Sequence, residues 1–216
     1  MLSRFSRCSN TLRTVAVAAL SLSAATAGAQ SLSGTLTVDN AFQVFLSTSP
    51  TLLGAPIPGA TGNNWPVDVT FGPQALVPGT NYWLQVVAQN TGGPGAFIGQ
   101  FSLTGAFHFA NTTQSLLTNT TEWSLQSGSF AGSPLAIADE GSNGSGPWGT
   151  FGNISASARF IWDGTNNCDV CTIYFSAPIV AQRITPPGTT VPEPSTWLLL
   201  ATGVLALSIV RRRRSA

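Results

Sequence analysis

The sequence predicts an all-β fold, a β-sandwich, for residues 30–184. Apolar and polar residues alternate with period two in several short segments, as they do in strands that bury one face. Clusters of Gly, Pro and Asn separate these segments at short intervals, which is typical of sandwiches. Between Gln30 and Pro187 no segment carries the 3.6-residue period of an amphipathic helix. Together these three observations favour two packed sheets over any helical class.

The first half of this body predicts four strands. Alternation over residues 36–46 predicts one strand with a single buried face, and the Pro/Gly/Asn-rich stretch 49–65 is predicted to be loop. A short strand over 67–71 is expected to end at the Gly-Pro pair that follows it. The clearest alternation, 82–89, predicts the next strand, and 96–104 returns from the turn after it.

The second half is less regular in sequence. Phe107 and Phe109 flank His108 with strand-like alternation, whereas residues 111–149 offer few regular elements. Trp123 and Leu125 are predicted to fill the core from that stretch. Two strands, over 158–162 and 172–176, close the body, and the prolines of 185–190 predict an extended linker beyond it.

The N-terminal residues 1–29 read as a signal peptide. Three arginines precede an apolar run over 15–27, and Ala27, Gly28 and Ala29 form an A-x-A cleavage site. The mature chain is therefore predicted to begin at Gln30. Its partners on this route are the Sec export machinery and signal peptidase, and the body crosses the inner membrane.

The C-terminal residues 191–216 contain three features in a fixed order. Val191, Pro192, Glu193 and Pro194 form an extended segment, because proline has a fixed φ and no amide hydrogen. Residues 195–210 are predicted to be a short transmembrane helix, with Trp197 at the membrane–water interface. The cluster that follows, expected to stay on the cytoplasmic side, is Arg211, Arg212, Arg213 and Arg214.

This arrangement resembles the PEP-CTERM sorting signal, and the resemblance covers only these residues. It implies recognition and cleavage by an exosortase in a Gram-negative bacterium that makes extracellular polysaccharide. The protein would be anchored transiently in the inner membrane and then reach the cell surface or the exterior. An ordinary single-pass tail anchor is the alternative.

Charge composition excludes one class of partner. Residues 30–190 contain two arginines, no lysine and seven acidic residues, a formal net charge of −5. Nucleic-acid binding requires a basic surface, so it is not expected.

Two cysteines, Cys168 and Cys171, remain in the mature chain. Their C-x-x-C spacing fits a redox pair, half of a metal site or a short disulfide. His108 is the only histidine, and no helical setting is predicted, so a disulfide that closes a turn in an oxidising compartment is favoured.

The body also resembles galactose-binding-like jelly-roll domains of secreted bacterial proteins. The resemblance rests on Asp39-Asn40, the loop with Trp65, Leu76-x-Pro78-Gly79-x-Asn81, Ala88-x-Asn90-x-Gly92-Gly93, residues 158–162, and Tyr174-Phe175. Asn40 replaces a second acid, and Leu46-Ser47-Thr48 stands where a Val-Asn-Gly turn is usual. The resemblance implies a jelly roll and carries over no binding residue.

Catalysis is not predicted. His108 has no G-x-S-x-G nucleophile to serve, and nothing in the spacing of Asp139, Glu140 and Asp163 selects a glycosidase pair or fixes a calcium site. No cofactor or metal is expected. The sequence thus predicts a non-enzymatic surface or extracellular-matrix protein.

The alternative is a carbohydrate-binding module acting on exopolysaccharide. Trp65 and Trp148 lie in Gly/Asn/Pro-rich loops, where exposed rings could stack on sugars. The competing interpretation is that both rings fold back into the core.

Overall fold

The structure is a computed structural model that describes residues 29–164 and 170–182. The ordered elements in these ranges are all strands, and no helix occurs among them. In chain order the strands are Ser31–Asp39 (β1), Ala41–Ser47 (β2), Ala55–Gly62 (β3), Val69–Ala75 (β4), Tyr82–Asn90 (β5), Ala96–Leu103 (β6), Phe107–Phe109 (β7), Ser115–Leu117 (β8), Ser124–Ser127 (β9), Pro134–Leu135 (β10), Ile137–Ser142 (β11), Arg159–Asp163 (β12) and Cys171–Ala181 (β13).

The strands form two antiparallel sheets. Sheet A has the order β11-β12-β6-β1-β4, and β8 also pairs with β6. Sheet B has the order β10-β9-β13-β5-β2-β3, and β7 also pairs with β13. The predicted all-β sandwich is confirmed at this level.

The main core lies between the sheets and is rich in aromatic rings. Phe97 of sheet A contacts Phe175 of sheet B with ring centroids 5.0 Å apart, and Trp123 meets Phe97 edge-on at 5.1 Å. Trp123 is 5% exposed and Leu125 2%, so the prediction that both fill the core is confirmed. Offset and edge-on pairs of this kind are favoured by the quadrupoles of the rings.

The prediction of one strand over 36–46 is wrong. The chain forms β1 in sheet A, crosses over at Asn40, and continues as β2 in sheet B. The Asn40 amide donates to Gln89 O at 2.7 Å, and its Oδ1 accepts from Thr91 N at 2.8 Å, which fixes the crossing. Alternation persists through the crossing because both strands bury the same parity of residues against one core.

Two further element predictions are corrected. The stretch 49–65 contains β3, and the short strand expected over 67–71 is β4, which continues through Gly72 and Pro73. Both strands lie at sheet edges, where a proline does not interrupt a ladder on both sides. Residues 111–149 are also more ordered than expected, since β8, β9, β10 and β11 all lie there.

Candidate functional site

Both ends of the described body meet at the turn after β6. Thr104 Oγ1 donates to Ala29 O at 2.8 Å, and it accepts from Ser31 N at 3.0 Å. The amide of Gln182 donates to Ala106 O at 2.9 Å. The segments that lead to the predicted signal peptide and to the C-terminus therefore leave the sandwich at one end, which we call the terminal end. The opposite end, at the turn between β5 and β6, is the distal end.

Gln30, the predicted mature N-terminus, already belongs to the fold. Its carbonyl accepts from Leu76 N at 2.9 Å, and its side chain packs against Gly105. Cleavage after Ala29 would leave the whole of β1 intact. Ala27 lies outside the described residues, so the cleavage site stays a prediction.

A second core covers part of the outer face of sheet A. Its buried members are Ala96, Ile98, Trp148, Phe151, Ile154, Ala158 and Phe160, with Trp65 and Leu117 packed against them. The sheet strands β6 and β12 present apolar residues on this outer face, and the segment 148–158 folds over them. Burial of this apolar surface stabilises the segment against the sheet.

The two candidate sugar-stacking rings lie in this second core. Trp148 is 7% exposed, lies 5.1 Å from Phe160 between ring centroids, and donates from Nε1 to Asp39 Oδ2 at 3.2 Å. Trp148 is therefore folded back against sheet A, whose apolar outer face it helps to cover, and it does not present an exposed ring for sugar stacking. Trp65 is half-buried and meets Phe151 edge-on at 5.1 Å.

Several ionisable side chains of the described region, among them Asp39, Asp139 and His108, are held in structural contacts. Burial raises the pKa of Asp39, and the hydrogen bond from Trp148 offsets part of that rise. The hydrogen bond from Arg159 lowers the pKa of Asp139, and the two side chains form an ion pair at 2.8 Å. His108 donates from Nδ1 to Phe109 O at 2.8 Å. Within 29–164 and 170–182, no three His, Cys, Asp or Glu side chains are grouped closely enough to hold a metal ion.

Cys171 begins β13 and is disulfide-bonded. Cys168 falls in the gap 165–169, outside the described residues, so the predicted Cys168–Cys171 pairing stays a prediction. Cys171 pairs with Asn90 of β5 and so lies at the distal end, on a strand separated from one edge of sheet B by β9 and β10.

The predicted sorting and membrane residues also lie outside the described ranges. They are Val191, Pro192, Glu193, Pro194, Trp197, Arg211, Arg212, Arg213 and Arg214, together with the linker 185–190. Strand β13, in the middle of sheet B, is the last described strand before them. None of the described residues forms a helix long and apolar enough to cross a membrane.

The described residues form an all-β sandwich, and the first and last of them lie at the same end of it. The family model of the PEP-CTERM protein-sorting motif matches residues 190–214. The chain therefore carries a PEP-CTERM sorting motif, which implies an exosortase as its processing partner and marks it as an exported protein. No curated protein and no solved structure matches the chain significantly.

Proposed function

We propose that this chain is a non-enzymatic surface or extracellular-matrix protein that an exosortase cleaves near its C-terminus. The match of residues 190–214 to the PEP-CTERM sorting motif is the observation that carries the proposal. After export the chain is held in the inner membrane by residues 195–210 and the arginine cluster, and cleavage then releases the sandwich toward the cell surface. The first and last described residues lie at one end of the sandwich. This position supports the route, because the body can extend from one side of the membrane.

The proposal also covers the type of β-sandwich. We assign the body to the galactose-binding-like jelly rolls on its sequence resemblance, and the two antiparallel sheets are compatible with that assignment.

Carbohydrate binding is the second candidate function, with exopolysaccharide as the ligand. It is favoured by the absence of Asp, Glu, Lys and Arg from the described strands of sheet B, whose exposed side chains include neutral hydrogen-bonding groups such as those of Thr61, Gln89 and Thr172. Neutral sugars are recognised by such groups.

Intact-mass analysis of the protein from its native host, with and without the exosortase, tests the first proposal. We expect a chain that begins at Gln30 and ends near Pro192–Pro194 only when the enzyme is present. Glu193→Ala should block that cleavage, whereas the matched change Thr189→Ala, outside the motif, should leave it unchanged. A mature chain that keeps Arg211–Arg214 in both strains would show instead a plain tail-anchored envelope protein.

A further inference from the structure

A shallow depression of about 270 Å³ lies on the outer face of sheet B. Its floor includes Val87 from β5, and its rim includes Gln43 from β2, Asn63 after β3, Gln89 from β5 and Thr172 from β13. Four segments that are distant in sequence thus meet at one place. We call this place the distal depression, because Gln89 and Thr172 lie at the ends of β5 and β13 that point away from the terminal end.

The rim offers hydrogen-bonding groups that the fold does not use. Gln89, Thr172 and Asn63 are exposed, and none of these three side chains has a hydrogen-bond partner in the described part of the chain. Gln43 differs, because its Nε2 donates to Ala60 O at 3.3 Å and to Val44 O at 3.2 Å. Its carboxamide is therefore fixed at the rim, while the other three can turn toward a ligand.

An aromatic ring lies beside the depression. Tyr174 is directly opposite Val87 in the β5–β13 ladder, and it follows Thr172 by two residues on the same face. The ring is half-buried, and Phe130 packs against it edge-on at 5.2 Å between centroids. Contact with Phe130 limits the freedom of the ring, so little conformational entropy remains to be lost when a ligand contacts it.

The electrostatic character of the face is neutral. The charged residues in the described strands all lie in sheet A, and they are Asp39, Asp139, Glu140, Arg159 and Asp163. A charged ligand at the distal depression would lose hydration, and the described strands of sheet B offer it no counter-charge, which is unfavourable.

We propose that the distal depression binds one sugar unit of an uncharged polysaccharide. The apolar floor and the Tyr174 ring suit the C–H face of a sugar, and the amides and the hydroxyl of the rim suit its hydroxyl groups. The volume is slightly below the roughly 300–1,000 Å³ of drug-sized ligand pockets, which fits a single unit of a longer chain. This proposal rests on carbohydrate binding, the second candidate function, and it places the site away from the terminal end.

Affinity gel electrophoresis of the mature protein from its host tests the site. Native gels containing dextran, galactomannan or β-1,3-glucan are compared with gels containing alginate, an acidic polymer, and with gels that lack polymer. We expect retardation by at least one of the neutral polymers and none by alginate. Gln89→Lys and Thr172→Lys should each weaken binding at least tenfold, because a lysine at the rim brings a hydrated charge against the sugar.

Control variants separate the site from the rest of the surface. Ser102→Lys places the same charge at an exposed position of sheet A and should leave retardation unchanged. Thermal unfolding of each variant checks that these exposed substitutions preserve the fold. Mobility is expressed relative to the polymer-free gel, so the added charge itself does not count as lost binding.

Three results would overturn the proposal, and each has a different consequence for the carbohydrate-binding function. Retardation by no neutral polymer removes both the site and the carbohydrate-binding function, while exosortase sorting is unaffected. Binding that survives Gln89→Lys and Thr172→Lys but is lost in Trp65→Ala removes the site and keeps the function. A change from dimer to monomer in Gln89→Lys would show that the face joins two copies of the chain instead.

Discussion

Gln85 illustrates how a single buried polar residue organises a long loop. Its side chain is 0% exposed although it points to the outer face of sheet B. Oε1 accepts from Gly54 N at 3.0 Å, and Nε2 donates to Leu52 O at 3.0 Å. The loop before β3 is therefore fastened to the sheet by hydrogen bonds rather than by apolar packing, and it leaves Leu52 and Leu53 exposed.

Gln85→Leu should loosen this loop. The amide of Gly54 would lose its partner, while Leu52 O would keep only Ser47 Oγ at 2.9 Å. A buried hydrogen-bonding group left unpaired costs about 1–3 kcal/mol. We expect lower stability to urea and faster chymotrypsin cleavage at Leu52 and Leu53. Gln89→Leu, on the same strand and face but exposed and unbonded, is the matched control, and equal cleavage of the two variants would contradict the role of Gln85.

The ion pair between Asp139 and Arg159 predicts a pH-dependent stability difference. The hydrogen bond from Arg159 lowers the folded-state pKa of Asp139 below its ordinary value. The stabilisation is therefore present above the unfolded-state pKa and is lost as the pH falls through the folded-state pKa. Arg159→Gln should cost less than about 1 kcal/mol at pH 7, as expected for exposed pairs, and progressively less below about pH 4.

Urea unfolding of both proteins at pH 7 and pH 2.5 measures this difference. The titration of Asp39, whose pKa is raised by burial, is common to both proteins and cancels in the comparison. A stability gap that widens in acid would contradict the assignment.

The segment 143–158 is an element without regular strands, and side-chain hydrogen bonds hold it over the second core. Asn143 donates from Nδ2 to Phe151 O at 2.9 Å and to Ile154 O at 2.8 Å, and its Oδ1 accepts from Phe151 N at 2.9 Å. Gln100 of β6 fixes the far side, since Ser155 N donates to its Oε1 at 2.9 Å. The side chain of Asn143 thus supplies hydrogen bonds to the backbone that a neighbouring strand would supply in a sheet.

Asn143→Ala should loosen this segment without loosening the sandwich. Three lost hydrogen bonds at about 1 kcal/mol each predict amide exchange in 143–158 that is faster by a factor on the order of 100. Amides of β5 and β13 should exchange at the parental rate. Asn153→Ala, which removes only an exposed bond to Asp68, is the control, and acceleration spread evenly through β5 and β13 would show that the second core is not a separate unit.

Period-two alternation predicts a strand that stays in one sheet and buries one face against the core. It found β5 almost to the residue, because one face of that strand is fully buried, and β6 was predicted from the turn that precedes it. It could not separate β1 from β2, since a strand that changes sheets at Asn40 keeps its parity. It missed β3 because Pro56, Pro58 and Gly59 resemble a loop unless the position at a sheet edge is known.

At the scale of the whole molecule, local sequence predicts contiguous sorting signals. It cannot predict a site built from strands that are distant in sequence. The sorting motif is contiguous, so its prediction from sequence agrees with the family match over 190–214. The sequence left open whether Trp148 is exposed or buried, because nothing local shows that sheet A has an apolar outer face. The distal depression joins Gln43, Asn63, Gln89 and Thr172, and only the strand order of sheet B brings them together.

The common position of the two chain ends predicts that the sandwich tolerates circular permutation. Ala29, Ser31 and Gln182 all bond to the turn 104–106, and Gln30 packs against Gly105. A linker of about six Gly/Ser residues, with a span of roughly 13 Å, should therefore join Gln182 to Gln30. New termini between Pro78 and Gly79 interrupt an exposed turn with one backbone hydrogen bond, Thr80 N to Val77 O at 3.2 Å.

We expect this permutant to unfold cooperatively in urea with a midpoint close to that of the mature parent, because both cores and all strand pairings are retained and loop closure changes little. Opening the same linked chain between Val86 and Val87, inside the central strand β5, should abolish folding. If the first permutant were also unfolded, the chain ends would have to contribute to stability. If it folds, the segments beyond residues 30 and 182 are needed for export and sorting only, and the sandwich is cargo that folds without them.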